Sequence, residues 1–128
     1  MSEEKRIRGG ALLARALQEK GVEHVFTLSG GFCNPALEGF MECQMKVVNC
    51  PHEQIAGHFA DGHTRITRKP AVCLVGPEGF ANAVPAMMEA WGERSPVIFV
   101  TGSSTLKRQG SGGFKAVSYT HLTLPTKA

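Results

Sequence analysis

No apolar run in this chain approaches the ~20 residues a bilayer-spanning helix requires, so a membrane protein of that kind is excluded. Nor is there a marked excess of one charge. The 14 Lys+Arg and 11 Asp+Glu leave a formal +3, too small and too scattered to point to nucleic acid. The cysteines Cys33, Cys43, Cys50 and Cys73 form no CxxC pair. They read as reduced core thiols of a cytoplasmic-type compartment rather than a disulfide framework. The opening residues Met1-Ser2-Glu3-Glu4-Lys5-Arg6 are followed by no apolar h-region, so no signal peptide is expected. A phosphate-gripping G-x-x-x-x-G-K-[ST] is missing, and Ser29-Gly30-Gly31-Phe32 does not supply the G-x-G-x-x-G of a dinucleotide fold. No internal repeat is visible.

What is present fits one globular domain. At 42% hydrophobic and 20% charged over 128 residues, the chain is neither disordered nor a coiled coil, and it is long enough for one modest core. Residues 11–20 place Leu12, Leu13, Ala16 and Leu17 on one stripe, a helix stopped by Gly21. Residues 22–28 (VEHVFTL) read as a strand running into Gly30-Gly31. Residues 35–41 suit a short helix with Asn34 as cap and Pro35 at its first position. A short strand at 46–49 and a helix at 54–66 follow, then the wholly apolar strand 71–75 (AVCLV), of the kind buried on both faces of a parallel sheet. A helix over 80–91 and a strand over 97–101 complete the rhythm, and residues 103–113 read as an exposed loop. Alternating helices and strands predict a three-layer α/β domain, a parallel sheet with helices on both faces. Ligands of such sheets bind beyond the carboxyl ends of the strands. Those ends carry Gly30-Gly31, Cys50 to Glu53, Gly76 to Gly79, and Gly102.

Among these residues, Cys50, His52, His58, Asp61 and His63 suggest a metal only superficially. The histidines are six and five residues apart, whereas one helix face needs three or four, so no metal ligand is assigned. Cys50 with His52 could form a nucleophile pair, but nothing in the sequence singles it out. Glu53 is more informative. It follows a strand, opens a helix and faces the mouth of the sheet, where a carboxylate gains from the helix dipole. Its position alone fits either a helix-capping glutamate or a catalytic one.

The ordered series GALLARALQEKGVEHVF from Gly10, Gly30-Gly31, His52-Glu53, Phe59-Ala60-Asp61-Gly62 and Arg65 resembles the N-terminal pyrimidine-binding domain of thiamine diphosphate enzymes. The types it is most similar to are acetolactate synthase, benzaldehyde lyase and 2-hydroxyacyl-CoA lyase. The likeness continues through Gly79-Phe80-Ala81-Asn82-Ala83-Val84, Pro96 and Thr101-Gly102-Ser103. The resemblance implies that Glu53 hydrogen-bonds a ring nitrogen of the cofactor's aminopyrimidine. This favours the imino tautomer, which takes the proton from the reactive thiazolium carbon. It also implies that Gly30, Gly76, Gly79 and Asn82 line the pyrimidine, where glycine permits close approach of the backbone. The family's reactions join or cleave 2-keto acids and 2-hydroxyacyl compounds, as lyases and transferases. The expected fragment is inactive alone.

Three departures stand against the family pattern. The loop Val75-Gly76-Pro77-Glu78-Gly79-Phe80-Ala81-Asn82 lacks the usual threonine, His63 stands where tyrosine is common, and Lys115 where several relatives carry glutamine. The Gly-Asp-Gly metal motif of the diphosphate-binding domain is absent. By the resemblance, Mg²⁺ would be held by that missing domain, the parent would be a homodimer or tetramer, and FAD could bind elsewhere in it. Two other classes stay open: a stand-alone pyrimidine subunit of a two-chain 2-keto acid decarboxylase, and a non-catalytic α/β interaction module. Residues 118–128 resemble one reading frame of a transposon adapter used in preparing sequencing libraries. They are expected to be a non-native tail, with residues 1–117 a partial domain; the plainer alternative is a last edge strand.

Overall fold

The computed structural model describes residues 6–108 and 110–112; Lys115 and the segment 118–128 lie outside the described residues. The order along the chain is α1 (Gly9–Glu19), β1 (His24–Thr27), α2 (Asn34–Glu42), β2 (Lys46–Asn49), α3 (Glu53–Thr67), β3 (Ala71–Val75), α4 (Phe80–Gly92) and β4 (Val97–Thr101). Short 3-10 turns lie at Gly31–Cys33 and Leu106–Arg108, the latter interrupting the expected loop.

Local chemistry accounts for most boundaries. Gly21 takes φ +87° just beyond α1. Its N–H bonds the Gln18 carbonyl at 2.9 Å while the Val22 N–H reaches Leu17 at 3.1 Å, the paired pattern of a glycine-terminated helix. At α2 the structure departs from the sequence reading. The 3-10 turn runs straight into the helix, so Cys33 occupies the cap position, Asn34 is already helical, and no side chain caps that end. Pro35 sits in the first turn, where its missing N–H costs nothing.

The four strands form one parallel sheet in the order β2-β1-β3-β4. Every residue of β3 is buried, as its unbroken apolar run requires. Successive residues divide between two cores. Val25, Val72 and Leu74 join Ala14, Leu17 and Phe40 beneath α1 and α2. Phe26, Ala71, Cys73 and Val75 join Ala56, Ala60 and Ala83 beneath α3 and α4. The result is the three-layer α/β architecture expected. From β1 the chain steps one way to β2, and from β3 the other way to β4. The direction of winding therefore reverses between β1 and β3, and the crevice beyond their carboxyl ends is where sheets of this type take ligands. No helix among the described residues is long and apolar enough to cross a membrane.

Candidate functional site

Glu53 reaches that crevice from the neighbouring strand. The chain leaves β2 through Cys50, whose N–H bonds the Thr27 carbonyl at 2.7 Å, and turns at Pro51. His52 is extended (φ −155°, ψ 148°) and its Nδ1 accepts from the Gln54 N–H at 3.1 Å. His52 is therefore the cap of α3, and Glu53 is the first helical residue. This removes the reading of Glu53 as the capping residue. An Nδ1 that accepts carries no proton, so the neutral ring holds its hydrogen on Nε2, 3.9 Å from Glu53 Oε2.

The Glu53 side chain is only 13% exposed, unusual for a carboxylate outside a strong ion pair. Two residues at the start of α4 hold it. Asn82 donates from Nδ2 to Glu53 Oε2 at 3.2 Å. Gly79 lies so close that a methyl group there would overlap the Glu53 carboxyl. Glu53 Oε1 accepts no hydrogen bond among the described residues. Of the residues singled out from sequence, Glu53, Gly79 and Asn82 thus form one cluster. Gly30 lies beyond the end of β1, just before the first 3-10 turn, with open space where a side chain would lie. Gly76 follows β3, and a side chain there would first meet the flexible Glu78 carboxyl at 3.2 Å.

The other candidates are not drawn into a reactive group. Cys50 donates to the Val48 carbonyl at 3.7 Å. Burial pushes its thiol up, partly offset by the bond from Thr27, which makes it a poor nucleophile for His52 to activate. Burial, then the neighbouring Cys50 and Glu53 charges, push the Cys73 thiol up to about 12. Cys50 and Cys73 are buried free thiols, and Cys33 is buried as well. His58 faces Gln54 on its own helix at 3.5 Å, while His63 packs on His24 at a ring separation of 4.3 Å. Among the described residues no three His, Cys, Asp or Glu side chains converge as metal ligands.

One tie between the helices behind the site was not legible as such in the sequence. Arg65 bonds Asp61 on its own helix at 2.8 Å and reaches Glu89 at 3.0 Å and Glu93 at 3.7 Å on or just beyond α4. Burial pushes the Asp61 carboxyl up, yet the Arg65 hydrogen bond and charge hold it below the usual range. The clamp fixes α3 against α4, the two helices that carry Glu53 and its partners. Its signal was half legible: Asp61 and Arg65 stand at i,i+4.

The family model described as thiamine pyrophosphate enzyme, N-terminal TPP binding domain, matches residues 7–122. The acetolactate synthase large subunit IlvG of Mycobacterium tuberculosis is 32% identical over 120 residues, covering 93% of this chain and 22% of that protein. Sulfoacetaldehyde acetyltransferase of Roseovarius nubinhibens is 33% identical over 105 residues, 80% of this chain and 17% of its own length. Among solved structures, the thiamine diphosphate-dependent 4-hydroxybenzoylformate decarboxylase of Rhodococcus jostii RHA1 superposes with a TM-score of 0.75. At 24% identity, over 84% of this chain and 20% of that one, it speaks for the fold alone. The chain spans about a fifth of the length of the acetolactate synthases it matches. The family match, the parallel three-layer fold and the order of the motifs agree: this chain belongs to the thiamine pyrophosphate enzymes, as their N-terminal TPP-binding domain.

Proposed function

We propose that this domain supplies the pyrimidine half of a thiamine diphosphate site in an acetolactate synthase-like enzyme, with Glu53 as its catalytic residue. The observation that carries the reading is the Glu53 carboxylate itself: largely enclosed at the mouth of the sheet, held through Oε2 by Asn82, with no donor to Oε1 among the described residues. That arrangement suits the aminopyrimidine half of the cofactor. The donor set does not suit the diphosphate half, since no triad of metal ligands converges among the described residues. Mg²⁺ therefore falls to a diphosphate-binding domain, contributed by a second subunit in a homodimer or tetramer. Gly30, in the loop beyond β1, and Gly76, directly after β3, are the positions where backbone meets the pyrimidine.

When bound, thiamine diphosphate supplies the thiazolium carbon that stabilises a carbanion. Glu53 shares a proton with the aminopyrimidine ring nitrogen, and the enclosing walls keep water from competing for that hydrogen bond. The substrates fall among 2-keto acids or 2-hydroxyacyl compounds, the parent acting as a lyase or transferase in the cytoplasm, with or without FAD. Residues 118–128 are assigned to a non-native tail by their adapter-like sequence, although the family match runs to residue 122.

Calorimetric titration of thiamine diphosphate with Mg²⁺ tests this. The chain alone should bind very weakly and turn nothing over. A diphosphate-binding domain from an acetolactate synthase, added in trans, should tighten binding, and Glu53→Gln should weaken it. Submicromolar affinity in a lone monomer would contradict the division of the cofactor. No binding in any arm would favour an interaction module.

A further inference from the structure

Gly79 and Asn82 stand one turn apart at the start of α4, joined by the bond from the Asn82 N–H to the Gly79 carbonyl at 3.1 Å. The family resemblance implies that both line the cofactor. Their geometry assigns them another task. The Asn82 amide is already engaged, donating to Glu53 Oε2. A carboxylate only accepts, so Nδ2 is the end of the amide that chemistry requires there. The bare face of Gly79 is occupied as well, by the rest of the same carboxyl group. A glutamate has three rotatable side-chain bonds and would otherwise sample several rotamers at a helix start.

We propose that Gly79 and Asn82 are positioning residues that form a socket for Glu53: the Asn82 amide holds Oε2 and the bare face of Gly79 seats Oε1, so that the carboxylate meets an aminopyrimidine in one fixed orientation. The inference rests on the role proposed for Glu53. The socket is as rigid as the packing of α3 on α4, which Arg65 ties from outside and Gly57 makes close. A methyl at Gly57 would come 2.5 Å from the Ala86 Cβ. Asn82 thus acts through Glu53, and its loss should be felt as a loss of Glu53.

The test uses the whole chain and needs no ligand in its first arm. Carbon-13 labelling of glutamate, with the Glu53 signal assigned from its disappearance in Glu53→Gln, reports the rotamer through three-bond couplings. The unaltered chain should show one rotamer. Asn82→Ala and Asn82→Asp should both show averaging; the aspartate keeps the size but has no donor, and it answers the question if the alanine variant folds poorly. Gly79→Ala should give a displaced Glu53 signal. Unchanged couplings in the folded Asn82 variants, or averaging in the unaltered chain, would overturn the socket.

The second arm titrates thiamine by chemical-shift changes. Asn82→Ala and Glu53→Gln should weaken binding by similar factors, and the double variant should fall roughly two-fold or more short of their product. A fully multiplicative loss would overturn the proposal, because Asn82 would then act on the pyrimidine directly. If Glu53→Gln leaves thiamine affinity unchanged, the function proposed for Glu53 fails. The couplings still decide whether the socket exists.

Discussion

The two faces of the sheet are built differently. Beneath α1 and α2 the core is filled by large side chains: Leu17, Val22, Phe40 and Met45 are all buried. Beneath α3 and α4 the buried helix residues are mostly alanines, Ala56, Ala60, Ala83, Ala86 and Ala90, with Met87 beside them, and the helices approach closely at Gly57, as α1 and α2 do at Gly10 and Gly39. Several larger apolar side chains of those helices point outward instead: Phe59 is 53% exposed, Trp91 57% and Ile66 85%. The first face secures the fold by burial. The second brings two helices close enough for Asn82 to reach a glutamate 29 residues away, and it keeps polar groups such as Thr64 and Asp61 inside.

The comparison breaks most visibly at Phe40, which is fully buried. Phe40→Ala should cost about 3–5 kcal/mol, a large share of the stability of a domain this size. Urea unfolding would show it as a lower midpoint. A loss below ~1 kcal/mol would mean that the α1–α2 face is not the principal core.

Glu53→Gln in the parent enzyme should do the opposite. Folding should stay nearly unchanged while turnover falls by about two orders of magnitude, the scale of losing positioned acid–base assistance. Proton exchange at the thiazolium carbon, followed by rapid quench, should slow in parallel. Unchanged exchange would take Glu53 out of the mechanism.

Gly57→Val probes the α3–α4 contact by overpacking. With Ala86 on the other side of the contact, a cost of about 1–3 kcal/mol is expected, along with a measurable change in the Glu53 environment. A neutral result would show that α3 and α4 slide apart freely.

A smaller effect concerns pH, again on the α3–α4 side. His24 stacks on Phe26 and packs at a tilt against His63, and its Nδ1 is buried with no partner among the described residues. Burial first, then the charges of His63 and Lys46, lower its pKa from the ordinary 6.5; Glu23 opposes them and Lys69 adds to them. A lowered folded-state value means that the unfolded chain binds the proton more readily. The contribution is therefore complete above about 6.5 and is lost as pH falls from there through the folded value. His24→Phe should flatten the fall of the melting temperature below neutral pH, whereas changes among the α1–α2 residues should only shift the curve. Smallest of all, removal of residues 118–128 should change thermal stability by less than ~1 kcal/mol. A larger loss would make that segment a packed part of the domain.

Local residue chemistry carried most of the fold. The strands at 46–49, 71–75 and 97–101 coincide with β2, β3 and β4, because β-branched and apolar runs bounded by Gly, Pro and polar residues state their own limits. The stop at Gly21 was equally legible, since a positive φ suits few other residues. The cap of α2 was not: Asn34 has the right chemistry, but the preceding 3-10 turn had already absorbed it.

For this protein, then, the sequence by itself determined the alternation of helix and strand, the parallel three-layer fold, and Glu53 as the carboxylate at its mouth. Those features depend on residues near one another along the chain. Only the tertiary structure decided that His52 rather than Glu53 caps α3, and that Gly79 is bare because a carboxyl group lies against it. It also decided that the Asn82 amide is already committed to Glu53. Those facts depend on where two helices cross, and a crossing is set by the side-chain volumes packed between them.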